Sequence, residues 1–165
     1  MRALILILAI GITSLYQTAF AAEEEIYGTW KLVSDHSKFL DTGEIIDNNA
    51  AGAVPLGYLT YGKDGRMMAL LVRGVRPKPD SLATITDQQR ASLFTSMIAY
   101  GGTYKFDGSR MEHHVDISWN EIWTGTTRIN EVKRDGDKLV YTTPPGPSIR
   151  DGRMVIGIAT WEKVK

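Results

Sequence analysis

Two adjacent histidines, His113 and His114, and one arginine, Arg128, are the residues of this chain whose types and spacing best suit chemistry. An imidazole titrates near neutral pH and is the side chain most readily used as an acid, a base or a ligand contact. In an extended strand neighbouring side chains point to opposite faces, so His113 and His114 do not chelate one metal together. Met111, His113, Val115, Ile117 and Trp119 share one face; Glu112, His114, Asp116, Ser118 and Asn120 share the other. The first set is apolar and reads as interior. That leaves His113 as a lone titratable group among apolar neighbours: either a core histidine satisfied by a carbonyl or buried water, or a group that touches a ligand or moves a proton. If Arg128 also points inward, its buried charge demands an anion. The candidates are Glu112, Glu121 and Glu131, or a carboxylate carried by a ligand.

Aromatic side chains on neighbouring strands complete the candidate site. Tyr58, Tyr104, Trp119 and Trp123 are of the kind that line small-molecule sites around a few polar groups. Trp30 and Trp161, near the chain ends, read instead as core residues that plug one end of the fold. Other chemistries lack their signatures. No Gly-x-Ser-x-Gly nucleophile setting and no phosphate-cradling glycine loop occurs. His36, His113 and His114 show no His-x-His spacing, and there is no cysteine, so neither a metal site nor a cofactor is expected.

These residues need a scaffold, and the turns describe it. Asp-Gly occurs at Asp64-Gly65, Asp107-Gly108, Asp135-Gly136 and Asp151-Gly152, each time followed by strand-like sequence. This dipeptide tolerates the positive φ of tight hairpins. The pattern predicts strands at Ile26 to His36 (Trp30, Leu32 and Ser34 on one face), Gly43 to Asp47, Leu56 to Tyr61 and Arg66 to Arg73. It continues with Gly102 to Phe106, Met111 to Trp119, Thr126 to Lys133, Lys138 to Thr143 and Arg153 to Lys163. An antiparallel meander of about eight or nine strands closes into a barrel or sandwich. One helix interrupts it. Thr86-Asp87-Gln88-Gln89 is a capping box, and Leu93, Phe94, Met97, Ile98 and Tyr100 recur at helical spacing up to Gly101-Gly102, giving a helix over about 87–100. The segments Gly74 to Thr84 and Thr142 to Arg150 are proline-rich loops, read as connectors or as lids and rims.

The first residues read as a signal peptide: Met1-Arg2, an apolar run from Ala3 to Leu15, and the small-x-small site Ala19-Phe20-Ala21. Cleavage after Ala21 leaves 22–165 as one exported domain, periplasmic or secreted, with no strong membrane association. The 19 basic and 19 acidic residues cancel and cleavage removes only Arg2, so no electrostatic argument favours nucleic acid.

Gly28-Thr29-Trp30-Lys31-Leu32-Val33 on the first strand resembles the Gly-x-Trp opening of lipocalins. The ordered series of Gly57-Tyr58-Leu59-Thr60-Tyr61, Asp64-Gly65-Arg66-Met67, Tyr100-Gly101-Gly102-Thr103-Tyr104, His113-His114-Val115, Trp123-Thr124-Gly125 with Arg128, and Trp161-Glu162-Lys163 resembles the bacterial and fungal lipocalin-like domain family. It departs from the family at Lys163, where arginine is commoner. The resemblance implies an all-β, antiparallel lipocalin-like barrel of eight or more strands with an internal cavity. It names the fold more firmly than any activity.

Three functional classes follow. The first is an exported protein binding a small hydrophobic or amphipathic ligand in the lumen, an acid among the options, with His113 and Arg128 as polar anchors. The second is a cofactor-free isomerase, cyclase or hydrolase using His113, and the third a structural or interaction module with a filled barrel. A lumen below about 300 Å³, the low end for small-molecule pockets, leaves only the third.

Overall fold

The four Asp-Gly pairs turn the chain as their residue types require. Each glycine adopts positive φ, from +59° at Gly136 to +102° at Gly108, and no aspartate does. The glycine alone therefore carries the conformation that a side chain resists. A computed structural model describes residues 26–49, 53–148 and 151–165. The expected signal peptide at 1–21 and its cleavage site lie outside the described residues.

The described residues form ten strands: β1 (Gly28–Phe39), β2 (Ile45–Asp47), β3 (Leu56–Tyr61), β4 (Arg66–Val72), β5 (Met97–Phe106), β6 (Arg110–Ser118), β7 (Thr127–Asp135), β8 (Lys138–Thr142), β9 (Gly146–Pro147) and β10 (Met154–Lys163). The sheet runs β2-β1-β3-β4-β5-β6-β7-β8-β10-β9, and β1 also pairs with β10, from Trp30↔Lys163 to Phe39↔Val155. That pairing closes an eight-stranded antiparallel barrel, with β2 and β9 as short additions at one end. The all-β reading from sequence holds. Closure also removes the unpaired edges that an open sheet exposes.

The helix is shorter than its periodicity implied. α1 spans Asp87–Thr95, and its capping box forms as read: Gln89 N–H donates to the Thr86 hydroxyl at 3.2 Å, and Thr86 N–H donates to Gln89 Oε1 at 2.9 Å. Met97, Ile98 and Tyr100 belong to β5, pairing with Val72, Leu71 and Ala69 of β4. Residues 98 and 100 satisfy strand alternation as well as helical spacing, and pairing along a neighbouring strand wins. Gly101 and Gly102 accordingly lie inside the sheet rather than ending a helix. A Cβ on Gly102 would stand 1.9 Å from the His114 carbonyl oxygen, so only glycine fits there.

Two bulges break the simple alternation. Between β5 and β6 the register slips at Gly101/Gly102, leaving Asp116 of β6 as an extra residue. Met111, His113 and Val115 point inward as expected, but Ile117 is turned out and is 71% exposed. On β1 the slip falls between Leu32 and Ser34. Trp30 and Leu32 are buried as expected; beyond the bulge it is Asp35, not Ser34, that faces in, 1% exposed.

The inward residues divide the barrel along its axis. One half is filled by Ile26, Trp30, Tyr61, Met67, Tyr104, Phe106, Met111, Val132 and Leu139, all buried. The Trp30 indole N–H donates to the Ile26 carbonyl at 2.7 Å and ties the entering chain across this end. The other half encloses a cavity. Along β4 and one residue past its end the transition reads directly as Met67, then Ala69, Leu71 and Arg73, the last three on the cavity wall.

Candidate functional site

The cavity has a volume of about 850 Å³, well inside the range of small-molecule sites. Its apolar wall comes from Leu59, Ala69, Leu71, Ile98 and Trp161. Its mouth is formed by the start of the Gly74 loop, the 3-10 turn Glu121–Trp123 and the stiff Pro144-Pro145-Gly146-Pro147 segment. Val75 and Ile122 stand there, each 81% exposed. Both proline-bearing loops read from sequence thus meet at the rim.

His113 sits in the floor, 2% exposed, with both ring nitrogens engaged. Its Nε2 hydrogen-bonds with the Tyr61 hydroxyl at 2.7 Å and its Nδ1 with the Tyr100 hydroxyl at 2.9 Å. Tyr61 continues to the Tyr141 hydroxyl at 2.7 Å. Four polar groups from β5, β6, β3 and β8 therefore form one unbranched chain, and its two ends, Tyr100 and Tyr141, line the cavity. Burial, followed by the nearby Arg128 charge, lowers the His113 pKa to about 3. The imidazole is neutral at physiological pH. Burial pushes the Tyr100 hydroxyl up to about 12 against an opposing pull from Arg128, and it raises Tyr61 and Tyr141 as well. All three phenols are protonated.

Arg128 is the register partner of His113 across β6 and β7, so its side chain shares the inward face. Half-buried, it stacks its guanidinium on the Trp123 ring, 3.6 Å from the centroid, a cation–π arrangement. Trp123 meets Trp119 edge to face at 4.6 Å and Tyr100 at 5.8 Å. None of the three anticipated carboxylates answers the charge: Glu112 pairs with Arg110, Glu121 accepts from the Thr124 hydroxyl, and Glu131 is exposed on β7. Among the described residues no ion pair joins Arg128 to a carboxylate. Burial lowers its pKa; Tyr100 opposes that and Arg73 adds to it.

A second cation lines the same cavity in the opposite condition. Arg73 grips Asp35 with two bonds, Nε to Oδ2 at 2.5 Å and Nη2 to Oδ1 at 3.0 Å, and Asn48 Nδ2 donates to the same carboxylate at 3.0 Å.

Of the residues named from sequence, His113, Arg128 and Trp123 meet on the cavity wall. Trp119 lies beside Trp123 but under α1, its indole N–H donating to the Phe94 carbonyl at 3.1 Å. Tyr104 is in the filled half, its hydroxyl donating to the Gly62 carbonyl at 2.9 Å. Tyr58 is on the outer face, 51% exposed. Trp161 forms part of the cavity floor, while Trp30 closes the filled end. Tyr61, Tyr100, Tyr141, Asp35 and Arg73 were not anticipated. A partial signal existed for Tyr141, which alternates with Leu139 on a short strand.

Among the described residues no cluster of histidine and carboxylate ligands could hold a metal, and no helix is long and apolar enough to cross a membrane. The lipocalin-like domain is the family description that matches the sequence, over residues 27–164. No curated protein matches it.

Proposed function

Because the chain belongs to the lipocalin-like domain family, we propose that it binds one small amphipathic acid in the open half of its barrel, with the ligand carboxylate on Arg128. One observation carries this reading: a half-buried guanidinium faces an 850 Å³ cavity, held by a tryptophan face and by no described carboxylate. A partly desolvated cation of this kind gains about 1.5–3 kcal/mol from a charged hydrogen-bond partner. The apolar wall and the exposed Val75 and Ile122 at the mouth suit the hydrophobic remainder of such a ligand.

The acid–base reading of His113 has less support. Both ring nitrogens are committed to tyrosines and the ring's basicity is strongly reduced. The cavity volume likewise speaks against a filled module. We propose in addition that the protein acts after export, with cleavage following Ala21; Edman sequencing that finds Met1 on mature protein from its host overturns this.

The binding reading is tested with 8-anilinonaphthalene-1-sulfonate, a fluorescent amphipathic anion. It should bind once per barrel and be displaced by dodecanoate. No enhancement, or enhancement that dodecanoate leaves untouched, contradicts the reading.

A further inference from the structure

The chain Tyr100–His113–Tyr61–Tyr141 has a property fixed by counting protons. Three contacts join four groups, and each group carries one donor hydrogen: three phenol O–H bonds and the single N–H of a neutral imidazole. Three contacts use three hydrogens. One remains: on the buried Tyr61, away from the cavity, it would have no partner, so it points out of the chain at one of its two ends. If His113 carries its proton on Nε2, then Tyr100 donates to Nδ1, Nε2 donates to Tyr61, Tyr61 donates to Tyr141, and the Tyr141 O–H faces the cavity. If the proton is on Nδ1, every bond reverses. Tyr141 then donates to Tyr61, Tyr61 to Nε2, and Nδ1 to Tyr100, whose O–H faces the cavity. Each arrangement offers a donor at one end and only an acceptor at the other. Both ends line the cavity, whereas Tyr61 does not.

The surroundings of the two ends differ. Arg128 is the cross-strand partner of His113 and rests on Trp123, which contacts Tyr100. A cation near the Tyr100 oxygen favours the order in which that hydroxyl points away from it, toward His113. A carboxylate seated on Arg128 cancels the charge and accepts the Tyr100 hydroxyl, which favours the reverse order.

We propose that this chain is a reversible relay that selects acids carrying a second hydrogen-bond donor. A carboxylate on Arg128 takes the Tyr100 O–H, His113 turns from its Nε2–H to its Nδ1–H tautomer, and Tyr141 is left as an acceptor for a ligand hydroxyl or N–H. The inference rests on the acid-binding reading above. Protons balance: one enters at Tyr100 and one leaves at Tyr141 through exchange with solvent, so each group holds one hydrogen before and after. The ligand class is thus a hydroxy- or amino-substituted amphipathic acid rather than a plain fatty acid.

Two measurements test it. Nitrogen-15 spectra of histidine-labelled protein should place the His113 proton on Nε2 without ligand or with dodecanol, and on Nδ1 with saturating dodecanoate. In a Tyr100→Phe variant dodecanoate should leave the tautomer unchanged. Among 3-, 6-, 10- and 12-hydroxydodecanoate, at least one should bind about fivefold or more tighter than dodecanoate, and Tyr141→Phe should abolish that advantage. If dodecanoate binds but the tautomer is the same with and without it, or no hydroxy acid gains, the relay is wrong while the acid-binding reading stands. If dodecanoate does not bind at all, both fall.

Discussion

Arg73 and Arg128 line the same cavity and illustrate two uses of a half-buried cation. Arg73 is answered inside the protein: Asp35 takes both its Nε and Nη2, and Asn48 completes the carboxylate's shell. It ties β1 to the end of β4, and its charge is met by a carboxylate of the protein itself. Arg128 rests on an aromatic face with its charge directed at open volume. A cation–π contact positions a guanidinium but does not neutralise it. The difference separates a residue answered within the barrel from one that, on the proposed reading, waits for a ligand's carboxylate.

Loss of Arg73 should show most in stability. Arg73→Met leaves the Asp35 carboxylate buried without its counter-charge and should cost about 3 kcal/mol or more in urea unfolding, the scale for losing one partner of a buried pair. Adding Asp35→Asn to that variant should recover much of the loss. If Arg73→Met unfolds at the wild-type urea concentration, the pair is not structural.

The next effect is one of pH and concerns His113, the cross-strand partner of Arg128. His113 is faced by Tyr61 of β3, Tyr100 and Tyr104 of β5, Arg128 of β7 and, through Tyr61, Tyr141 of β8; none of them is a carboxylate. Burial lowers its pKa from 6.5 to about 3. Between those values the unfolded chain binds a proton that the folded protein refuses, so stability falls as pH drops from about 6.5 toward 3. The limiting slope is about 1.4 kcal/mol per pH unit. His113→Gln should flatten this part of the curve, whatever it costs at pH 7. An unchanged slope in the variant would assign the acid sensitivity to other groups.

A smaller effect sharpens the Arg128 side. Trp123→Leu removes the face on which the guanidinium rests, and dodecanoate affinity should drop only a few-fold, in line with about 0.5–1 kcal/mol for such a contact. A loss of a hundredfold would mean that the indole itself forms much of the site.

These pairs show what could be read in advance. The Asp-Gly turns, the capping box at Thr86 and the inward run Met111, His113, Val115 depend on neighbours along the chain, and local chemistry disclosed them. The helix end was not legible, because Ile98 and Tyr100 suit two periodicities and β4 decides between them. Asp35 was hidden by the bulge at Leu32/Ser34, which turns it inward where strict alternation placed Ser34. The relay was hidden by distance: Tyr61 and Tyr141 touch across 80 residues of sequence and Tyr61 and His113 across 52. Such contacts follow from strand order and barrel closure. Arg128 was readable as a residue needing an anion, and what the sequence left open was which one.

Titration calorimetry of dodecanoate and dodecanol into wild type and Arg128→Met shows whether this arginine selects the acid. Wild type should bind the acid about tenfold or more tighter than the alcohol. In the variant the two should bind alike, with stability changed by less than about 1 kcal/mol because no described ion pair is lost. Equal binding by wild type, or a preference for the acid that survives the loss of Arg128, would contradict that selection.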